Sequence, residues 1–530
     1  MLHGRLLQLG AKPFCERGEG NEQHPEGHSF GLREWVVLLR KQLLDRFPLP
    51  DGQMPIADDV FLVPKWKLAL ADSEPSMNGE NGIHVLEADG TETCADAHKP
   101  STELLPIKGS HTALLTRNER ITPDDHFQDV RVLDLRLHQP YEYRPGAVAV
   151  IYPKNFPEDV KSFIDLMGWQ EVADLPLNLV RSQESEPKST FSTPSPLRHL
   201  SVSSTRLTLG WLLENVLDIM AIPRRSFFAS LAHFASTESE DEQYQKERLL
   251  ELANPELIDE LWDYTTRPKR TILEVMMDFT TIKIPWEYAL TALPLMKGRQ
   301  FSIASGGALK MDSEGHCKVE LLVAIADPPS PIIKWRRRYG VCTRYITSLA
   351  AGQSITIGLQ QGYLDVQPSE TAVPVLLVGP GTGLAPMRAM IHERLMWAKQ
   401  QEIRKPGSRL AGDVLIFGCR SETADYYFHS EWDHLIKEEA LTVLTAFSRD
   451  KDKPRQYVQD KIREAAERVV EILVKEGGKV YVCGSSGNMP KGVREALVDV
   501  LAGEGGMRRE EAEGYLEAME REGRYKQETW

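Results

Sequence analysis

From residue 373 onward, short continuously apolar runs alternate with helical stretches, and this alternation limits the fold more than any other feature. "VPVLLVGPGTG" precedes "LAPMRAMIHERLMWAKQ", "DVLIFGCR" and "LTVLTAFSR" each precede a helical stretch, and "KVYVCGSSGNM" precedes "PKGVREALVDVLAG". Strands apolar on both faces are covered on both faces, and parallel neighbours need long crossovers, which helices supply. The pattern predicts a doubly wound parallel sheet with helices on both faces over 371–530.

Upstream the period changes. "FLVPKWKLAL", "HTALLTRNERI", "DVRVLDLRL" and "AVAVIYP" alternate apolar and polar residues, and "RQFSIAS" and "KVELLVAIA" resume the pattern at 299 and 318. These read as antiparallel strands. Between them, "LTLGWLLENVLDIM", "RRSFFASLAHFAS", "EQYQKERLLELA" and "TILEVMMDF" have helical spacing. The expectation is an antiparallel β-barrel unit over 56–370 that holds a helical insert at about 200–292. Polar stretches at 72–103 and 181–196 read as surface insertions. Residues 1–55 read as a strand or helix fragment, a polar loop and a helix with Leu32, Trp35, Val36, Leu39 and Leu43 on one side, closed by the linker "PLPDGQMP".

Composition removes several classes of function. A net charge of -14 speaks against nucleic acid or anionic membrane as a general partner, and the "WRRR" run ending at Arg338 is too short to reverse it. No run approaches the ~18 apolar residues of a membrane span, and no signal peptide opens the sequence. Six cysteines without a C-x-x-C pair suit a reducing, cytoplasmic setting with free thiols and no metal site. His24 and His28, separated by Pro and Gly, read as loop. Without G-x-S-x-G or a Ser/His/Asp set, a hydrolase is not expected.

Ligands of open α/β sheets sit beyond the carboxyl ends of the strands. "GPGTG" offers Thr382 in a glycine-rich turn entering a helix, suited to phosphate or simply tight. "FSRD" offers Ser448 and Arg449, followed by Lys453, Arg455, Gln456, Tyr457, Val458 and Gln459. This set suits a phosphomonoester such as the 2'-phosphate of NADPH, or is a solvated basic loop. Cys483 ends the last apolar run, as a buried small hydrophobe or a thiol facing the crevice. In "RQFSIASG", Arg299 and Phe301 stand near Ser302, as edge decoration or as a hold for a flat phosphorylated ligand.

The order of "RQFSIAS", "YGVCTRYI", "LLVGPGTGLAPMR", "FGCR", "FSRD…YVQ", "YVCGSSGNM" and a last tryptophan closely resembles the FAD/NADPH half of the diflavin reductases, the cytochrome P450 reductase type. "PRRSFF", "TTRPKRTILEVMMDF" and "DDHFQDVR" resemble the NADPH-dependent diflavin reductases of cytosolic iron–sulphur assembly. The resemblance spans about 55–530. It implies hydride transfer from NADPH to FAD, then single electrons by way of FMN to an anamorsin-type iron–sulphur protein, in the cytoplasm or in association with mitochondria. It further implies that Arg267, Arg299, Gln300, Phe301 and Ser302 contact FAD, with Phe301 on the ring system and Ser302 beside it. Gly340, Val341, Cys342 and Thr343 would cradle the pyrophosphate. Thr382, Ser448, Arg449, Arg455, Gln456, Tyr457, Val458 and Gln459 would hold NADPH. Cys483 would lie by the nicotinamide, Glu528 would serve a proton or positioning role, and Trp530 would cover the flavin. The alternatives are a P450- or sulphite-reductase-type flavoprotein, or a non-catalytic scaffold derived from a reductase.

Three departures accompany the resemblance. The loop after Ser448 is one residue longer, with Arg455 where Lys is common. Glu528 replaces an Asp. Residues 1–50 resemble only the tail of a flavodoxin-like domain, without its phosphate loop, so the chain is expected not to hold FMN.

Overall fold

The computed structural model describes residues 2–20, 29–50, 52–57, 60–71, 98–182, 194–201, 207–327, 338–364, 366–400, 412–450 and 454–530. His24, His28, Cys94, Lys453, residues 335–337 and most of the two polar insertions lie outside the described residues. Among those described, the strands are β1 (Trp66–Leu70), β2 (His111–Arg120), β3 (Val130–Leu137), β4 (Val148–Ile151), β5 (Leu177–Arg181), β6 (Arg299–Ser302) and β7 (Lys318–Ala324). They continue with β8 (Ser354–Gln360), β9 (Val375–Val378), β10 (Val414–Cys419), β11 (Thr442–Phe447), β12 (Lys479–Gly484) and β13 (Tyr525–Thr529).

Six strands form an antiparallel sheet in the order β6-β4-β8-β2-β3-β7. A bridge between Ile303, just past β6, and Leu321 of β7 joins the two edges into a barrel. Edge closure removes unpaired backbone groups that would otherwise face solvent. The helix Val341–Ser348 plugs the barrel, with Cys342, Tyr345 and Ile346 in its core at helical spacing. That burial fixes where the N-terminal end of the helix points.

The helical unit forms its own core, in which Leu209, Leu213, Phe228, Leu249 and Val275 join Leu68 of β1 and Leu177 of β5. Two of its helices begin with reciprocal caps, Ser239 with Glu242 and Thr271 with Glu274. Each cap satisfies backbone N–H groups that a helix start leaves free. Glu274 also takes two hydrogen bonds from Arg338, both at 2.8 Å, so the "RTILEV" stretch is a structural node as well as a helix start.

The second sheet is parallel, in the order β11-β10-β9-β12-β13, so its strand order reverses on either side of β9. Val375, Leu377, Leu415, Phe417, Tyr481 and Cys483 face the helix Leu384–Gln400 and Trp432. Their neighbours Leu376, Val378, Val414, Ile416, Val480 and Val482 face the helices around Ile462, Leu497 and Leu516. The continuous apolar runs thus serve two layers, as the alternation predicts.

Some elements depart from the sequence reading. β5, β8 and the helix Pro157–Met167 were not anticipated. In "FLVPKWKLAL" only Trp66–Leu70 pairs, after the strand-breaking Pro64. In "EGRYKQETW", Tyr525–Thr529 form the edge strand β13, paired with β12. Residues 2–8 settle as helix.

The barrel and the parallel sheet meet through the helix Leu384–Gln400. Arg388 is 4% exposed and donates to the carbonyl of Ala304 (3.0 Å), to Glu320 of β7 (2.6 Å) and to Glu431 (2.9 Å). Removing one partner of a buried ion pair leaves uncompensated charge behind. Arg388→Ala is expected to lower unfolding stability by about 3–5 kcal/mol, read as a drop in the denaturant midpoint.

Candidate flavin and nicotinamide sites

A first cavity of about 480 Å³ opens between the barrel and the parallel sheet. β6 contributes Arg299, Gln300, Phe301 and Ser302, the start of the plug helix contributes Gly340, Cys342 and Thr343, and Thr382, Glu528 and Trp530 come from the parallel domain. Phe301 also packs against the barrel core, which fixes its ring. Stretches spread from 299 to 530 therefore meet in one place.

The start of the plug helix is shaped for an anion. Gly340 precedes it with no side-chain cap, which leaves the first N–H groups free for a ligand. Thr343 Oγ1 accepts from the N–H of Ala326 (3.1 Å), and the N–H of Gly340 donates to the carbonyl of Ala326 (3.2 Å), so the turn is laced to the end of β7. A Cβ on Gly340 would lie 2.8 Å from both Ala326 Cβ and Thr343 Oγ1. An uncapped helix start, the Arg299 cation and an aromatic ring on one wall fit a phosphate-bearing flavin dinucleotide. Cys342 is not a nucleophile here, since burial pushes its thiol up to about 12.

On the far side of Gly340 lies another cavity of about 330 Å³. Val341 faces this one, with Lys154, Lys269, Arg338 and Arg344. Arg344 is paired with Asp159 at 2.8 Å. Lys154 is buried against the carbonyls of Ser101 and Glu103, each at 2.7 Å, and burial lowers its ammonium to about 8. Lys269 adopts a left-handed backbone (φ 52), costly for a residue with a side chain and a mark of a constrained position. Arg267 lines none of these cavities; it is exposed and pairs with Asp263. Lys269, two residues on, occupies the wall expected of Arg267. A π-helical turn, Trp262–Thr266, lies just before them.

A further cavity, about 960 Å³, lies beyond the carboxyl ends of β9, β10, β11 and β12, at the point where strand order reverses. Thr382, Ser448, Gln456, Tyr457, Val458 and Gln459 line it. Arg449 and Arg455 stand beside this wall, exposed; Arg455 donates to the carbonyl of Ser448 (3.3 Å) and lies 5.6 Å from the Tyr457 ring centre. Arg420 and Phe127 also line the cavity, with the guanidinium 3.1 Å from the ring centre, and neither was singled out as a site residue. "DDHF" and "FGCR" carried them, but only folding brings the β2–β3 loop to the end of β10.

Cys483 is placed differently from the resemblance. Its side chain is 0% exposed, belongs to the core and lines neither large cavity. The reading of a buried small hydrophobe is the one its position fits. A Cβ on Gly383 would stand 2.1 Å from the Cys483 carbonyl, so the glycine-rich turn presses on the β12 backbone.

Thr382 and Trp530 stand in the walls of both the first cavity and this crevice of the parallel sheet. The Trp530 N–H donates to the carbonyl of Gly484 (3.1 Å), its carbonyl accepts from Ser486 (2.9 Å), and the residue remains 54% exposed. A dinucleotide cradle in a barrel, joined to a second nucleotide crevice at a strand-order reversal, defines a flavin- and nicotinamide-dependent oxidoreductase.

The comparisons with known proteins agree. Residues 111–345 match the FAD binding domain family and residues 377–495 the oxidoreductase NAD-binding domain family. The whole chain is 46% identical to NADPH-dependent diflavin oxidoreductase 1 of Emericella nidulans, covering 80% of that protein. It is 44% identical to that of Aspergillus fumigatus and 34% to that of Xenopus laevis, covering 81% of each. The chain belongs to the NADPH-dependent diflavin oxidoreductase family. Diflavin chemistry implies FMN as well as FAD; neither matched family is an FMN-binding domain.

Glu528 lies beside Cys483 in the β12–β13 register and in the wall of the first cavity. Its Oε2 is buried without a hydrogen-bond partner, and burial raises its pKa. Between the ordinary Glu value of about 4.3 and the raised folded value, the folded protein keeps a proton that the unfolded chain releases. The stability this lends is full below the ordinary Glu value of about 4.3 and is lost as pH rises through the folded value. Glu528→Gln, which never ionises, is expected to melt above the parent at pH 8, with the gap closing as pH falls to about 4. A gap independent of pH would show that the carboxyl is not perturbed.

Proposed function

We propose that this chain binds FAD across the first cavity and its neighbour behind Gly340, and NADPH in the crevice of the parallel sheet. The observation that carries the reading is that the first cavity and the crevice of the parallel sheet share Thr382 and Trp530 as common wall. FAD and NADPH supply hydride transfer and the splitting of an electron pair into single electrons; the protein supplies alignment and charge.

In this reading Arg299 and the N–H groups of Val341, Cys342 and Thr343 hold the pyrophosphate, with Lys269 and Arg338 on the adenosine side. Gln300 and Ser302 offer polar contacts from β6, and Phe301 gives a flat apolar face to the ring system. Thr382 and the turn around it orient the nicotinamide nucleotide. Ser448, Arg449, Arg455 and Tyr457 recognise a 2'-phosphate, with Gln456, Val458 and Gln459 shaping the pocket as the chain enters the helix Val458–Glu464. Trp530 covers the boundary between the two sites and excludes water from it. Glu528 holds a proton near that boundary. Cys483 acts from beneath, as a packing residue of the floor.

The electron acceptor in this reading is an anamorsin-type iron–sulphur protein of cytosolic cluster assembly, reached through FMN in the intact family. Its support is the wording of "PRRSFF" and "RPKRTILEV". A cytoplasmic setting goes with it, and no described helix is long and apolar enough to cross a membrane.

A visible spectrum and released-flavin assay, followed by ferricyanide reduction, test the first step. The expected result is bound FAD and turnover that prefers NADPH to NADH. Arg449→Ala with Arg455→Ala should raise KM for NADPH about 100-fold, from two charge-assisted hydrogen bonds of about 1.5 kcal/mol each. KM for NADH should be unmoved. An unchanged preference would place the 2'-phosphate elsewhere.

A further inference from the structure

Asp218 sits behind Arg299. It is 6% exposed, and its Oδ2 lies 3.7 Å from the Arg299 guanidinium. The two residues come from different units: Asp218 follows the helix Leu209–Asn215 of the helical insert, and Arg299 opens β6 of the barrel. Backbone pairing clamps the junction between them. Leu217 bridges Leu295, the Asp218 N–H donates to the carbonyl of Pro294 (2.8 Å), and the Met296 N–H donates to the carbonyl of Val216 (2.6 Å). The segment leading into β6 is held before the carboxylate meets the guanidinium. The other bond from the guanidinium goes to the carbonyl of Lys297 on its own segment. Burial pushes the Asp218 carboxyl up, while Arg299 and the N–H groups of Met220 and Ala221 pull it down.

We propose that Asp218 is a positioning residue for the cofactor: it aims the Arg299 guanidinium into the first cavity, so that the helical insert sets the geometry of the phosphate contact. The inference rests on the reading of Arg299 as a phosphate ligand of FAD. An arginine side chain carries much rotamer entropy, and a ligand that must order it binds more weakly than one that meets it in place. Arg299 is half-buried and lies in the wall between the first cavity and a cavity of about 510 Å³ lined by Asp218, Arg224 and Lys297. Without Asp218 the guanidinium has a second space to enter. Charge alone argues the other way, since a carboxylate near the phosphates repels them. The sign of the effect therefore separates positioning from charge.

The test is titration of the full apoprotein with FAD, followed by flavin fluorescence, for Asp218→Ala, Asp218→Asn and each combined with Arg299→Ala. Positioning predicts about ten-fold weaker FAD binding by Asp218→Ala, as loss of the ion pair leaves the ligand to order the guanidinium itself. Asp218→Asn, which keeps an oxygen for the guanidinium, should retain most of the affinity. In the Arg299→Ala background, Asp218→Ala should change nothing further. Binding by Asp218→Ala as tight as the parent's or tighter, or additive losses in the double variant, would overturn the proposal. Unchanged affinity in Arg299→Ala alone would instead overturn the reading of Arg299 on which it rests. If Asp218→Ala does not fold, Asp218→Ser takes its place in the same cycle.

Discussion

The joint between the two cofactor domains rests on one buried arginine. Arg388 reaches from the helix after β9 to Glu320 of β7 and the carbonyl of Ala304, while Glu431 closes its other side and His392 joins Glu431 at 2.6 Å. One turn along the same helix, Glu393 accepts from the N–H of Gly307 (2.6 Å) and from Lys310 (2.8 Å). Gly306 and Gly307 permit this approach: a Cβ on either would stand 2.0 or 2.2 Å from a carbonyl of the helix. Gly307 also has φ 52, open to glycine at no steric cost. "SIASGG" thus has a role in each half. Its start lines the first cavity, and its end locks the barrel onto the parallel-sheet domain. Hydride transfer needs reacting atoms within about 3–3.5 Å, so a joint that fixes two domains by directional bonds suits the chemistry better than an apolar contact free to slide.

The same principle recurs at the other end of β6. There the helical insert meets the barrel by backbone bonds around Leu217 and Leu295, and Asp218 meets Arg299. β6 is four residues long, yet it is tied to the parallel domain after its end and to the helical insert before its start. A short edge strand would ordinarily fray. Here both flanks are anchored, and the four residues between them line the cavity.

Much of this was legible in the sequence, for a physical reason. Parallel strands buried on both sides leave continuous apolar runs, and "VPVLLV", "DVLIFG" and "KVYVCG" are such runs. The motifs at their ends have to be local, because phosphate binding uses backbone N–H groups in one turn. What failed to show depends on distant contacts. β8, "SITIGLQ", is a strand because it sits between β4 and β2 in the barrel, which a single window does not reveal. Arg267 and Lys269 look interchangeable in "RPKR", and only the folded chain shows that Lys269 lines the cavity. The Phe127–Arg420 stack joins residues far apart in the chain. Cys483 ends an apolar run whose alternation puts its side chain in the core.

Trp530 shows how one residue can be fixed and free at once. Its amide and carbonyl both bond to the turn after β12, so the backbone is held as part of the sheet. β13 is itself held by register pairs from Val480–Tyr525 to Gly484–Thr529. The residue nevertheless stays 54% exposed at the meeting of the two cavities. Moving the indole requires only side-chain rotation, a motion of picoseconds to nanoseconds for exposed residues, whereas moving the backbone would break strand pairing. In the proposed reading, a cover built this way can leave and return to the same place without disturbing the sheet. The edge strand β13 is therefore what makes a large, exposed aromatic usable at this boundary.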